Sequence, residues 1–417
     1  MASRRPRAHA RHATHAPNRH VLSAVGSAAA AVLGFSAVFG TAYLGLAQSS
    51  INREDISSLI GATDSEGKVV ETTEPTDFAA GEDLNILLIG SDERNDENAT
   101  IGGDVADGMR SDTTMIMHIS ADRSRIDVIS IPRDMRVDVA DCQMFDGTTK
   151  TGWTAKFNTA FSLGGSNGNR AEAAACTMRT VTDETGIEFN GHYVVVDFTG
   201  FIDMVDALGG VPMCITHDMY SKKAKLDLEA GPQVLDGETA LAFARARTGT
   251  GLGDGTDLMR IERQQELLTN TARKALGLNL LTDIGELTQF IKAGAESITM
   301  DSQLGSITNL AGLAYSLRNF DTDNLTFTTV PWEYSSDDTG DVLAIEDEAQ
   351  ALFQAIIDDE PMPGEDEETT TSPTPDASAS ATPSTSETPT TDPSISATTP
   401  ERETEADILA QCEALEY

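Results

Sequence analysis

Leu84-Asn85-Ile86-Leu87-Leu88-Ile89-Gly90-Ser91-Asp92 is a short apolar run that stops at a glycine and passes directly into an acid. Its length and branched residues predict a buried strand ending at Gly90. Two further runs, Thr113 to Ile119 and Arg125 to Ile131, read as strands in the same way. Downstream, His192 to Val196 predicts another strand, followed by a helix around Phe198 to Leu208 that closes at Gly209-Gly210 before Val211 to Ile215. Asp236-Gly237-Glu238 is a cap for a helix over Thr239 to Ala244, a long helix spans about Asp257 to Leu276, and a late strand covers Leu325 to Val330. Strands interleaved with helices over one stretch of this size predict a layered α/β/α domain.

The polar residues around these strands carry the chemistry. Asp92 and Arg94 follow the first strand, Arg110 and Asp112 precede the second, and Arg133 and Asp134 follow the third. The carboxyl ends of strands in an open α/β sheet are where ligands usually bind. A few hard oxygen ligands set beside phosphate contacts match the way Mg²⁺ is held. A second group lies at Arg245-Ala246-Arg247 and on the long helix, where Arg260 and Gln264 share a face at i and i+4 with Arg263 beside it. Guanidinium groups fork phosphate oxygens and stay charged when desolvated. If Arg245 to Arg247 is extended, both point to one side and can grip a diphosphate. The loop Gly249 to Gly255 lacks the Lys-Ser/Thr or strand-helix context of a nucleotide loop and reads as a flexible rim.

The chain has 417 residues and a formal net charge of -38, which argues against nucleic acid as a partner. The first twenty residues hold five arginines and no acid, and positions 21 to 47 hold no charge. That stretch is long enough to cross a bilayer, with the basic side in the cytoplasm. A cleaved signal peptide would have a shorter apolar stretch and an Ala-x-Ala type site, to which Ala42 to Ala47 conforms loosely. The expected layout is therefore a cytoplasmic tail (1–20), a transmembrane helix (21–47), a polar spacer (48–83), a folded body (84–359) and an acidic Thr/Ser/Pro-rich tail (360–417) too poor in large apolar residues to fold. The anchor places the protein in the cell membrane as a single-pass chain with its C-terminal domain outside the cell.

Four cysteines, Cys142, Cys176, Cys214 and Cys412, suit an oxidising compartment. Spacing does not choose among three pairings; Cys142 and Cys176, which flank one motif-bearing loop, are the pair expected first. Ala406 to Tyr417 either docks through Cys412 or forms an unstructured end. No Gly-x-Ser-x-Gly or His-Glu-x-x-His is present, and His118 sits in an apolar run as a core residue, so nucleophilic Ser or Cys catalysis has little support.

These segments, in this order, resemble the LytR-CpsA-Psr family of cell-wall assembly proteins. The resemblance runs from about Leu84 to Leu276. It includes Asn85 to Asp92, Arg110-Ser111-Asp112-Thr113, Ile129 to Asp134, Lys156-Phe157-Asn158 with Gly164-Gly165, and His192 to Phe198. It continues through Val205 to Val211, Leu235-Asp236-Gly237, Ala240 to Arg247 and Arg260 to Gln265. It implies a three-layer α/β/α domain with a mixed central sheet, after one N-terminal transmembrane helix. The implied activity is transfer of a glycopolymer, with phosphate, from a polyprenyl-pyrophosphate carrier to a peptidoglycan sugar hydroxyl or a surface protein. By motif position, Asp92 and Asp112 would bind Mg²⁺ or another divalent cation, and Arg94, Arg110 and Gln264 would bind substrate. Arg133, Arg245, Arg247, Arg260 and Arg263 would be catalytic, holding the diphosphate and stabilising charge on the transferred phosphoryl group. The family's lipid channel makes the apolar residues of Phe198 to Leu208 candidate walls, equally readable as ordinary core. Two alternatives remain open: a non-catalytic wall-glycan binding or regulatory protein, and a pyrophosphatase acting on the lipid diphosphate.

Overall fold

The computed structural model describes residues 52–56, 77–93, 109–252, 257–277, 298–337, 340–363 and Cys412. Among the described residues no helix is long and apolar enough to cross a membrane. The expected span 21–47, Arg94 and most of the acidic tail lie outside them.

A seven-stranded sheet organises the body. Its strands are β1 (Asn52–Arg53), β2 (Leu84–Ser91), β3 (Ser111–Ile119), β4 (Ile126–Ile131), β5 (Tyr193–Val196), β6 (Ile298–Met300) and β7 (Leu325–Thr329). In space they run β1-β6-β5-β2-β3-β4-β7. The sheet is mixed: β5 pairs parallel with β2, β3 pairs antiparallel with both β2 and β4, and β7 returns parallel to β4. Every residue of β4 is buried, as a strand covered on both faces requires.

Alternate residues on each strand feed two different layers. Leu87, Ile89, Ile116, Ile129 and Val195 pack against helices α1 (Thr159–Gly164), α2 (Arg170–Thr185) and α7 (Glu346–Ile357). Ile86, Met115, Val128 and Ile298 face the other way, toward α6 (Ile307–Ser316). A third apolar cluster joins α3 (Phe198–Ala207), α4 (Gly237–Arg245) and α5 (Asp257–Gly277) to the antiparallel pair Val211–Ile215 and Gly231–Leu235. The Asp236 carboxylate accepts the backbone N–H of Thr239 at 2.9 Å and caps α4, the role its position in the sequence predicts.

Part of the stretch expected as a spacer joins the body. Asn52 and Arg53 pair with Thr299 and Met300, and Ile56 is fully buried in the α2 side of the core. The helix α2 has no counterpart in the sequence reading, because its buried residues are mostly alanines and threonines with Cys176, and Met178 and Val181 are the large apolar ones among them. Disulfides join Cys142 to Cys176 and Cys214 to Cys412. His118 is fully buried, between the side-chain oxygens of Asn85 at 2.8 Å and Asp359 at 3.0 Å.

Candidate active site

The ends of β2, β3 and β4 converge at one edge of the sheet. The pairing of β2 with β3 slips one residue between Gly90 and Ser91, so the strand turns as it leaves the sheet at Asp92. Asp92 and Arg110 then lock together: the Asp92 N–H donates to the Arg110 carbonyl at 2.9 Å, and the Arg110 N–H donates to Asp92 Oδ1 at 2.9 Å. Arg133, just past β4, donates from Nη1 to Asp112 Oδ1 at 2.7 Å. Burial works against the charged form of Asp112, but the charges of Arg133 and Arg260, the Arg133 hydrogen bond and the charge of Arg247 outweigh it and hold this carboxyl below its usual range. Asp112 is thus an anion at neutral pH.

The helices supply the other half. Helix α4 ends at Arg245, and Ala246 is extended at φ -64°, ψ 128°. Arg245 and Arg247 therefore flank one extended residue and face the same side. The Arg245 guanidinium lies 4.1 Å from the centre of the Phe198 ring, which fixes its plane. On α5, Arg260 donates to the Asp112 carbonyl at 3.3 Å, while Gln264 accepts from Thr113 Oγ1 at 3.1 Å and donates to the Ala244 carbonyl at 3.1 Å. Gln264 thereby ties β3 to the end of α4.

All of these groups line one cavity of about 850 Å³. Its walls carry seven cationic side chains, Arg110, Arg133, Arg245, Arg247, Arg260, Lys223 and Lys225, against three carboxylates, Asp92, Asp112 and Asp197. In a chain of net charge -38, this is an island built for anions. The same cavity is walled by Leu88, Met115, Val194, Phe201, Met204, Leu241 and Leu268. Leu88 pairs in register with Met115 and Val194. Leu88 lies four residues before Asp92 and Met115 three residues after Asp112, roughly 10–13 Å along the strands at ~3.3 Å per residue. The cavity thus joins a charged head to an apolar interior, and Phe198, Phe201, Met204 and Val205 of α3 are walls as well as core.

Arg263 stands apart. It is not part of the cavity lining; the residue is 7% exposed, and its guanidinium donates to the carbonyls of Ala246 and Leu252. The sequence places it next to Arg260, but three residues along the helix leave it about 60° off the Arg260 face, where it holds the Ala246 and Leu252 carbonyls behind the Arg245–Arg247 segment. Burial pushes its pKa down, partly offset by Glu262 and Glu266. Replacing Arg263 by Met leaves two carbonyls without donors and is expected to destabilise the fold by about 1–3 kcal/mol, read as a lower urea midpoint. Asp134 is likewise outside the lining: it accepts Lys156 Nζ at 2.9 Å and sits 3.4 Å from Arg133 Nε, orienting Arg133.

One residue the sequence reading missed supports the site from below. Arg170, at the start of α2, pairs with Glu93, next to Asp92, and with Asp197 at 2.6 Å. Asp197 also caps α3, accepting the Gly200 N–H at 2.8 Å. Arg170 thus binds the Asp92 segment to the helix that carries Phe198. Nothing local in the sequence marks it, since its partners lie 77 and 27 residues away.

Residues 50–356 match the LytR_cpsA_psr family. The chain belongs to the LytR-CpsA-Psr family. Among its relatives, the probable cell wall biosynthesis protein LcpB of Corynebacterium glutamicum is 33% identical over 303 residues, covering 70% of this chain and 66% of that protein. The polyisoprenyl-teichoic acid–peptidoglycan teichoic acid transferase TagU of Halalkalibacterium halodurans is 28% identical over 235 residues, 56% of this chain and 66% of that protein. This LytR-CpsA-Psr chain therefore spans just under two thirds of the length of these relatives. The crystal structure of B. subtilis TagV shares its fold, with a TM-score of 0.51 at 22% identity over 67% of this chain and 98% of that one. A protein from Streptococcus agalactiae aligns with a TM-score of 0.53 at 20% identity, over 67% of this chain and 89% of that one.

Proposed function

We propose that this LytR-CpsA-Psr domain transfers a wall glycopolymer, with its proximal phosphate, from a polyprenyl-pyrophosphate carrier to a sugar hydroxyl of peptidoglycan. The observation that carries this reading is the union, in one cavity, of a strand-end arginine cluster with an apolar interior. An amphiphile with a diphosphate head and an isoprenoid tail has that same division. The names of the relatives LcpB and TagU support a cell-wall polymer as the cargo.

In the reaction the acceptor oxygen forms a new bond to the phosphorus that bears the polymer, and the bridging bond of the diphosphate breaks. Polyprenyl phosphate leaves, and the hydroxyl proton passes to solvent. Arg245 and Arg247 fork the diphosphate, while Arg133 and Arg260, both set beside Asp112, face charge that grows on the equatorial and leaving oxygens. Arg110, an exposed residue of the cavity wall, steers the anion in.

Among the described residues no group of three or more His, Cys, Asp or Glu forms a metal cage. Asp92 and Asp112 nonetheless fit Mg²⁺, which takes one or two carboxylates and completes its shell with phosphate oxygens and water. When bound, the ion would neutralise charge on the diphosphate. In this reading residues 21–47 anchor the domain at the outer face of the membrane.

Full-length protein in detergent, given a polyprenyl-diphosphate-linked glycan and an acceptor muropeptide, is expected to need Mg²⁺. EDTA should abolish transfer, and Asp112→Asn should lower kcat by about 10²–10³-fold. Equal turnover in EDTA would sink the metal assignment. Phosphate release without transfer would make the protein a hydrolase, and binding without turnover a glycan-binding protein.

A further inference from the structure

The hairpin formed by Met219–Ser221 and Leu226–Leu228 carries Lys222-Lys223-Ala224-Lys225 at its tip. That is three of the chain's eight lysines in four positions. Met219, Leu226 and Leu228 anchor the hairpin in the third apolar cluster, so its tip has a fixed place. Ser221 Oγ donates to the Thr248 carbonyl at 2.8 Å and accepts the Ala224 N–H at 3.3 Å.

The loop after Arg247 is shaped to receive this hairpin. Tyr220 and Thr250 exchange both backbone hydrogen bonds, at 3.0 and 2.9 Å. A Cβ on Gly249 would lie 2.0 Å from the Tyr220 carbonyl, and one on Gly251 2.1 Å from that of Asp218. Gly249 and Gly251 therefore do not make a free rim, as the sequence suggests. They let two backbones touch, and so lock the lysine tip beside the Arg245–Arg247 clamp.

Lys223 and Lys225 line the same cavity as those arginines, yet both are exposed, and neither forms an ion pair among the described residues. Lys225 holds a φ of 57°, an unfavourable conformation for a side chain other than glycine. The diphosphate is already covered by the arginines, and a neutral sugar gains little from ammonium groups. We propose that Lys223 and Lys225 form a second anion subsite, which takes a phosphate or carboxylate borne by the glycan close to its lipid-linked end. This rests on the diphosphate-transfer reading above and narrows its substrate to an anionic polymer. Lysine, a mobile point charge, suits a group whose geometry varies along a polymer.

The test measures binding to full-length protein in detergent micelles. The probes are farnesyl diphosphate alone and farnesyl diphosphate bearing a disaccharide that ends in glucose, glucuronate or glucose phosphate. The charged disaccharides are expected to bind about three- to tenfold tighter than the glucose one. In K223Q/K225Q that ratio falls to about one, while K223R/K225R keeps it and shows that charge, not the hairpin's fold, is responsible. A ratio near one in the unaltered protein, or a ratio that survives in K223Q/K225Q, overturns the subsite. So does loss, in K223Q/K225Q, of binding to phosphatidylglycerol vesicles with the ratio intact, which would assign the lysines to the membrane. Failure of bare farnesyl diphosphate to bind the unaltered protein refutes the diphosphate reading itself, a separate result.

Discussion

Replacing Arg245 and Arg247 together by alanine is expected to lower kcat/KM for polymer transfer by about 10³–10⁵-fold, the range seen when cationic groups are withdrawn from a phosphoryl-transfer site. The two guanidinium groups flank the extended Ala246 and face one side, so they meet the diphosphate as a pair. Arg133 and Arg260 are already engaged with Asp112, and Arg263 lies behind the segment, so these arginines are poorly placed to take over the fork. Most of the loss should appear in kcat, because charge on the diphosphate oxygens grows as the bridging bond breaks. Arg247→Lys keeps the charge but not the planar fork and should fall between the two extremes. The double variant also removes the stacking of Arg245 on Phe198, so its urea midpoint is measured alongside kcat/KM to separate lost chemistry from lost stability. A double variant within tenfold of the parent would remove these arginines from the chemistry.

A large expected effect on stability comes from Cys142→Ser/Cys176→Ser. The bond closes a stretch of 34 residues, and restoring that freedom to the unfolded chain costs about 3–4 kcal/mol in the loop-entropy account. Both cysteines are buried, at 1% and 2% exposure, so the serine hydroxyls would also enter an apolar setting. The consequence reaches the site. The closed stretch includes Lys156, which holds Asp134, and Asn158, whose N–H donates to the Arg133 carbonyl at 3.1 Å. Urea denaturation of the double variant should show the lower midpoint with an unchanged slope. A loss below about 1 kcal/mol would mean that the core holds these elements without the bond.

What was legible in the sequence follows from local physics. Leu84 to Ile89, Thr113 to Ile119 and Arg125 to Ile131 are short runs rich in branched residues, and each becomes a strand of the central sheet. The cap at Asp236 is a local hydrogen bond three residues long, and the sequence contains both partners. Helix α2 escaped notice because alanine on its buried side gives no amphipathic stripe, although small residues are what let it pack closely. Asp92, Asp112, Arg133, Arg245, Arg247, Arg260 and Gln264 stand out in the sequence by strand ends and helical spacing, and the fold brings all seven to one cavity.

Residue order by itself determined the element types, the arginine-rich character of the site and membership in a family, because periodicity, capping and charge are properties of neighbours along the chain. Only tertiary structure decided which cations face the cavity. Arg260 and Arg263 are three residues apart on one helix, yet one reaches Asp112 and the other reaches Ala246. Arg170 gains its role from partners far away in sequence, and Lys223 and Lys225 enter the site only because Gly249 and Gly251 let two backbones meet. Side-chain direction depends on what the helix or hairpin packs against, and that is fixed by contacts between distant segments.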